Sequence, residues 1–345
     1  MASSDPKVLV AGPFPGPRHG MAIVTEAIAD VVDGSLRLDL SAGGVGGSRS
    51  DLAKKVRNVA KSLATLALRG RSFDHLVLAV DSGEGMLITF LMVILGRFHK
   101  LRITLQHHTW AYLRDHRGLM DRIISTGGPE LEHMFLCERA AGEFREMYRP
   151  PGPVLVAGNA FSVPLAQTAV TNRDHLVVGH LANLSRAKGI EEVVVSVKQN
   201  PEVSFLIAGP AVDDVARSSL EQLAALPNVE LRGQLDDVEV RRFHSDTDIF
   251  LLPSETEAMP LVVWEAMSSG SSVVGYDVGC VGSMANSTAI RVAHSSEEFQ
   301  SQLRAAISQR VSGGAEGKVC RQTFEEIRRR HTEELIALMQ GNHLT

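Results

Sequence analysis

Residues 248–279 read DIFLLPSETEAMPLVVWEAMSSGSSVVGYDVG, and this stretch decides the fold. An apolar run, Asp248–Leu252, ends at Pro253-Ser254 and a polar loop follows. Pro260 stands where a helix can begin, because the N–H it lacks is one that a first turn leaves unbonded anyway. The spacing predicts a helix over Leu261–Ser269, closed by Gly270, and then a β-branched strand over Ser272–Tyr276. Strand, helix and strand at this spacing form the crossover unit of a parallel sheet, whose ligands sit beyond the carboxyl ends of the strands. The backbone N–H groups of Leu261 and Val262 are then free to meet an anion such as a diphosphate. Glu265 lies about one turn further on, within reach of a ribose diol. Glu257 precedes the helix, where it can accept hydrogen bonds from sugar hydroxyls. The same glutamate spacing recurs at 130/138, 138/146, 325/333 and 326/334, but only 257/265 follows an apolar strand and opens a helix.

Outward from this unit the alternation continues in both directions. Before it, strands are expected at Leu176–Leu181, Ser204–Ala208 and Val229–Leu231, with helices at Gly189–Lys198, Asp214–Leu226 and Asp236–His244. After it come a short strand at Ala289–Val292 and helices at Ser296–Gln309 and Glu316–Met339. The first half repeats the pattern, with strands at Val8–Gly12, Leu36–Leu40, His75–Val80, Arg102–Gln106, His133–Leu136 and Val154–Val156. Helices fit between them, at Met21–Val32, Leu52–Leu68, Gly85–Arg97, Gly118–Ser125 and Arg139–Met147. The expected fold is α/β, with two Rossmann-like domains whose parallel sheets face a cleft. Residues 1–165 form the first, residues 166–320 the second, and 321–345 a final helix crossing back to the first.

The chain has 345 residues, of which 44% are hydrophobic and 22% charged, which excludes a disordered or fibrous chain. Met86–Gly96, the longest apolar run, has 11 residues against the roughly 20 a spanning helix needs, and reads as a buried core helix. The start of the chain carries no apolar signal region, so a cytoplasmic location is expected. Cys137, Cys280 and Cys320 lie far apart without a CxxC spacing, which predicts neither a disulfide framework nor a zinc knuckle. Residues 1–165 carry 19 Lys and Arg against 16 Asp and Glu, a balance of +3; the rest carry 16 against 24, a balance of −8. The acidic whole does not suit a dedicated nucleic-acid binder. Lys54–Arg71 has six basic residues and no acidic one, and Val56, Val59, Leu63 and Leu66 recur at helical spacing. A core-facing amphipathic helix explains that spacing, while the basic face suits peripheral contact with anionic lipid at the inner face of a membrane.

With these residues in place, the segment Asp248–Gly279 resembles the donor-site signature of the retaining GT-B glycosyltransferases, glycosyltransferase family 4, also called glycosyl transferases group 1. The match is Pro-Ser, an acidic loop, Glu-Ala-Met and a Gly-x-x-Val-Val run, with Ala258 in place of the usual Gly and Ser272 in place of the usual Pro. Neither change removes a charged or hydroxyl-binding group. Val178–Ile190 (VGHLANLSRAKGI) carries the family's Lys-Gly at Lys188-Gly189, whereas the usual arginine position holds His180, Ala182 or Asn183. Arg186 is the candidate replacement. Val8–Met21 (VLVAGPFPGPRHGM) is similar to the family's first-strand loop, with Gly20 and Met21 at the phosphate contact. Gln106-His107-His108 ends a strand where the family places a histidine near the donor sugar; either His107 or His108 fills that role, and the competing reading is a core histidine.

The resemblance implies transfer of a sugar from a nucleotide diphosphate sugar, UDP-sugar preferred, to a lipid-linked or saccharide hydroxyl with retention at the anomeric carbon. It implies a donor site of Gly20, Met21, Lys188, Arg186, Gly233, Glu257, Ala258, Met259, Pro260, Leu261, Val262 and Glu265. Lys188, Arg186, Glu257, His107 and His108 carry the catalytic roles. No cofactor and no metal are expected. His116 beside His107-His108 lacks a carboxylate or cysteine at ligand spacing, and Asp246-Thr247-Asp248, although it mimics a metal-binding Asp-x-Asp, precedes a buried strand. A nucleotide-sugar epimerase of the same fold and a non-catalytic nucleotide-sugar binder are the alternatives.

Overall fold

The computed structural model describes residues 7–14, 20–32, 34–41, 49–83, 85–166, 175–285, 289–312 and 316–341. Short β-branched runs that carry almost no charge need cover on both faces, and parallel sheets between helices supply it. The chain divides into two compact units, residues 1–162 with 330–345, and residues 163–329.

In the first unit the strands are β1 (Val8–Gly12), β2 (Leu36–Asp39), β3 (His75–Val80), β4 (Arg102–His107), β5 (Leu131–Phe135) and β6 (Val154–Val156), all parallel, in the order β2-β1-β3-β4-β5-β6. The helices are α1 (Gly20–Val31), α2 (Arg49–Arg69), α3 (Gly85–Phe98), α4 (Ala111–Arg114), α5 (Gly118–Gly127) and α6 (Glu138–Tyr148). Every residue of β1, β3 and β5 is buried, as expected of strands covered on both faces. Helix α3 departs from the sequence reading. It is not a buried core helix: Met86, Met92 and Val93 pack inward, but Leu87, Leu91, Ile94 and Phe98 reach solvent. The apolar stripe of α2 departs in the same way, since Leu66 is buried whereas Val56 is exposed.

The second unit holds β7 (Val177–Leu181), β8 (Ser204–Ala208), β9 (Val229–Gly233), β10 (Ile249–Leu252), β11 (Ser272–Tyr276) and β12 (Ile290–Ala293), again parallel, in the order β12-β11-β10-β7-β8-β9. Its helices are α7 (Ile190–Gln199), α8 (Asp214–Ala224), α9 (Asp237–Ser245), α10 (Leu261–Ser269), α11 (Val281–Met284) and α12 (Ser296–Val311). Helix α13 (Glu316–Met339) follows, and from Arg330 onward its residues count with the first unit. There Ala160 N–H donates to His331 Nδ1 at 3.2 Å. One core cluster of the second unit joins Val178 of β7, Ile190 and Val193 of α7, Phe205 of β8, Leu251 of β10 and Phe299 of α12. The chain runs outward from β7 through β8 to β9, then returns to place β10 on the other side of β7. That reversal opens a crevice at the carboxyl ends of β7 and β10, where open α/β sheets bind ligands.

Candidate active site

The loops leaving β7 and β10 are stitched together at that crevice. After β7, Ser185 accepts a hydrogen bond from the Lys188 N–H at 3.3 Å and caps a single 3₁₀ turn, Arg186–Lys188. Gly189 follows with φ +74°, and a Cβ there would lie 1.9 Å from the Pro253 carbonyl oxygen, so only glycine lets the two loops close. Glu255 N–H, on the β10 loop, donates to the Ala187 carbonyl at 2.9 Å. These contacts aim two side chains at each other: Lys188 Nζ donates to Glu257 Oε1 at 2.7 Å, with the glutamate almost covered and the lysine about one-third exposed. Behind them the Cys280 N–H donates to the Ala258 carbonyl at 2.8 Å and fixes the loop that leads to Met259 and Pro260.

Pro260 takes the N-cap position of α10, with no side chain capping the helix. Burial of Leu261, Trp264 and Met267 orients this helix, with Trp264 set 6.4 Å from Phe324 between ring centroids. The same rotation leaves Val262 and Glu265 half-buried at the rim. His244, on the inner side of α9, places Nε2 3.4 Å from Glu265 Oε2. The sequence reading missed this partner. A histidine on the apolar face of a short helix gives no local sign of what it meets. Gly233 ends the edge strand β9, two strands from β7, with φ +62° and its carbonyl accepting from Gly209 N–H at 2.6 Å.

Neither His180 nor Arg186 stands as a second cation beside Lys188. His180 is buried; its Nδ1 donates to the Leu251 carbonyl at 3.1 Å, and burial, with the Lys188 charge adding to it against that hydrogen bond, pushes its pKa down to about 4. It is a neutral ring at pH 7. Arg186 does not join the pair either. Its guanidinium lies on the surface 3.5 Å from Glu191, and its backbone N–H donates to Asp213 at 2.9 Å. The expectation that Arg186 replaces the family arginine is therefore not met, because the turn capped by Ser185 points Lys188 and Arg186 in different directions.

In the first unit the two histidines part ways. His107 is buried, stacked on Phe135 with centroids 4.2 Å apart, and bonded through Nδ1 to the Tyr112 hydroxyl at 2.7 Å and through Nε2 to His133 at 3.1 Å. Burial, and then the neighbouring His133 and His108, hold its pKa well below the ordinary value. The catalytic reading of His107 is corrected accordingly: it is a core histidine. His108 is half-buried beyond the end of β4. Gly20 and Met21 open α1, Gly20 exposed and the Met21 carbonyl accepting from Thr25 at 2.8 Å; residues 15–19, most of the Gly/Pro-rich loop, lie outside the described residues. Asp246 and Asp248 are spent on arginines, at 3.0 Å from Arg232 and 3.0 Å from Arg310. Among the described residues no group of His, Cys, Asp and Glu is placed to hold a metal ion.

A two-sheet α/β chain with paired loops at the switch point of its second sheet is a protein of GT-B fold, and its solved neighbours share that architecture. Residues 166–320, most of the second unit, match the family model of the glycosyl transferases group 1. The chain is 29% identical over 103 residues to the O-antigen biosynthesis glycosyltransferase WclY of Escherichia coli, covering 29% of this chain and 28% of the relative. It is 28% identical over 160 residues to the phosphatidylinositol N-acetylglucosaminyltransferase gpi3 subunit of Schizosaccharomyces pombe, covering 45% and 34%. The matches thus span about a quarter to a third of the length of these relatives. Among solved structures, Anabaena Alr3699/HepE in complex with UDP superposes with a TM-score of 0.67 at 15% identity, covering 96% of this chain and all of that one.

Proposed function

We propose that this protein is a retaining, metal-independent glycosyltransferase that moves a sugar from a nucleoside diphosphate sugar to a hydroxyl acceptor. The observation that carries the reading is the Lys188–Glu257 pair at the carboxyl ends of β7 and β10, beside the uncapped start of α10. A diphosphate laid on the Leu261 and Val262 N–H groups draws Lys188 away from Glu257, and Glu257 is then free to accept from the sugar hydroxyls. Glu265, at the rim one turn into α10, takes the ribose diol. In a retaining transfer without a covalent intermediate, the acceptor oxygen attacks from the face the diphosphate leaves, and a leaving-group oxygen takes the acceptor proton. The C1–O bond to the donor breaks as the new one forms. The protein's share is fixed positive potential on the departing phosphates, supplied by Lys188 and the α10 N-terminus. UDP is the preferred carrier, supported by the UDP complex of HepE. The O-antigen and phosphatidylinositol activities named for the relatives support a saccharide or lipid-linked acceptor.

The test is a transfer assay over UDP-sugars and lipid-linked or saccharide acceptors, with product anomers read by NMR. Transfer with retention that persists in EDTA is expected, and Lys188→Ala is expected to cost roughly 100- to 1,000-fold in turnover. Interconversion of the nucleotide sugar without an acceptor, or binding without any turnover, would overturn the reading.

A further inference from the structure

Helix α3 is apolar on almost every side, with Thr89 buried and Arg97 in its last turn. On its outer side Leu87, Leu91, Ile94 and Phe98 follow one another at helical spacing and are 55%, 40%, 40% and 69% exposed. A helix at a water-facing surface ordinarily places polar groups there. Helix α2, which packs beside it, is turned the same way round. Its polar Asn58 and Ser62 point inward, donating to Asp39 at 2.9 and 3.0 Å, while Val56 and Leu68 are 60% and 84% exposed. Between the two helices runs an open groove of about 340 Å³, with Leu63, Ala67, Leu91 and Ile94 in its walls.

Around this groove the charge has one sign, apart from Glu130, which pairs with Arg97 near the end of α3. Lys54, Arg57 and Lys61 stand exposed along α2, Arg71 and Lys100 follow the two helices, and neither 52–73 nor 85–114 contains an acidic residue. That charge selects the occupant. A second copy of the chain docking through the same face would set cations against cations. A bilayer with anionic headgroups satisfies both features at once, taking the apolar stripes into its interface and the lysines and arginines at its phosphates. Among the described residues no helix is long and apolar enough to cross a membrane, so the contact is one of surface and not of span.

We propose that the face formed by α2 and α3 docks on an anionic lipid bilayer, with Leu87, Leu91, Ile94 and Phe98 entering the interface. The proposal does not rest on the sugar-transfer reading, and its readout is binding alone. The experiment is flotation of the full chain with vesicles of phosphatidylcholine, or of phosphatidylcholine with about one-third phosphatidylglycerol. At least about tenfold more protein is expected on the anionic vesicles, with the difference shrinking as salt is raised. Leu91→Ser with Phe98→Ser, and separately Lys54→Glu with Arg57→Glu and Lys61→Glu, are each expected to lower binding by about tenfold or more with unchanged melting curves. Should the serine pair misfold, the charge variant and the salt series still decide. Equal binding to both vesicle types, or binding to neither, overturns the proposal. So does self-association of the wild-type chain that the serine pair abolishes, which would make a second copy the occupant.

Discussion

Glu265 shows how much a single residue owes to its neighbours. Its carboxylate is half-buried at the rim of the crevice, with His244 Nε2 3.4 Å away. An ionised carboxylate makes stronger hydrogen bonds to a diol than an amide does, so Glu265→Gln is expected to weaken UDP binding about tenfold by calorimetry. Unchanged affinity in a folded variant would remove Glu265 from the ribose. Arg186 gives the opposite expectation. Its guanidinium is exposed and paired with Glu191, and exposed pairs contribute little. Arg186→Ala is expected to change turnover by less than about threefold and stability by less than about 1 kcal/mol. A hundredfold loss of turnover would mean that the arginine swings to the phosphates when donor binds. Both glutamates and both cations were legible as candidates in the sequence. Which cation faces Glu257 was not, because that depends on the 3₁₀ turn that Ser185 caps.

At the scale of elements, the strands and helices follow the sequence closely, since apolar runs bounded by Gly and Pro leave few alternatives. Strand β5 begins at Leu131, two positions before the expected start, because its parallel pairing with β4 extends to Ile103–Leu131. The closure of the β7 and β10 loops depends on one position, Gly189, held at φ +74° against the Pro253 carbonyl. Gly189→Ala meets both the left-handed backbone and that carbonyl, so a loss of about 1–3 kcal/mol in urea unfolding is expected, together with lost UDP binding. An alanine variant with wild-type stability and affinity would show that the loops do not need this approach. Helix α3 carried the larger surprise. An eleven-residue run broken only by Thr89 satisfies a core helix and a surface helix with an apolar outer face equally well, and only the sheet and helices packed beside it tell them apart.

For the molecule as a whole, buried neutral histidines set the response to pH. Burial pushes His75 and His133 down to about 3, and His180 and His331 down to about 4, with the charges of Arg102, Lys188 and Arg330 adding to the effect at His75, His180 and His331. His107 is lowered as well. An unfolded histidine titrates near 6.5, so below about that pH the unfolded chain binds protons that the folded chain does not. Stability is therefore complete above about pH 6.5 and falls as pH drops toward 4, by up to about 1.4 kcal/mol per pH unit for each such site. Of these histidines only His180 lies in the second unit. Hydrogen exchange at pH 7.5 and pH 5 is expected to show protection lost first in the first unit. Equal loss in both units, or greater stability at pH 5, would contradict this account.

The α/β class, the two runs of parallel strands and the loop in which Glu257 and Glu265 stand are all readable from the chain's residues alone. Those features are written in short-range patterns: the period of apolar residues, the Pro and Gly that stop them, and the spacing of charges around a helix start. Long-range packing settles that Lys188 meets Glu257, that Arg186 turns to Glu191 and that His244 lies beside Glu265. It also sealed His107 inside an aromatic core and left the outer side of α3 bare. Each of these depends on which strands lie side by side, and strand order is a long-range property that no local spacing records.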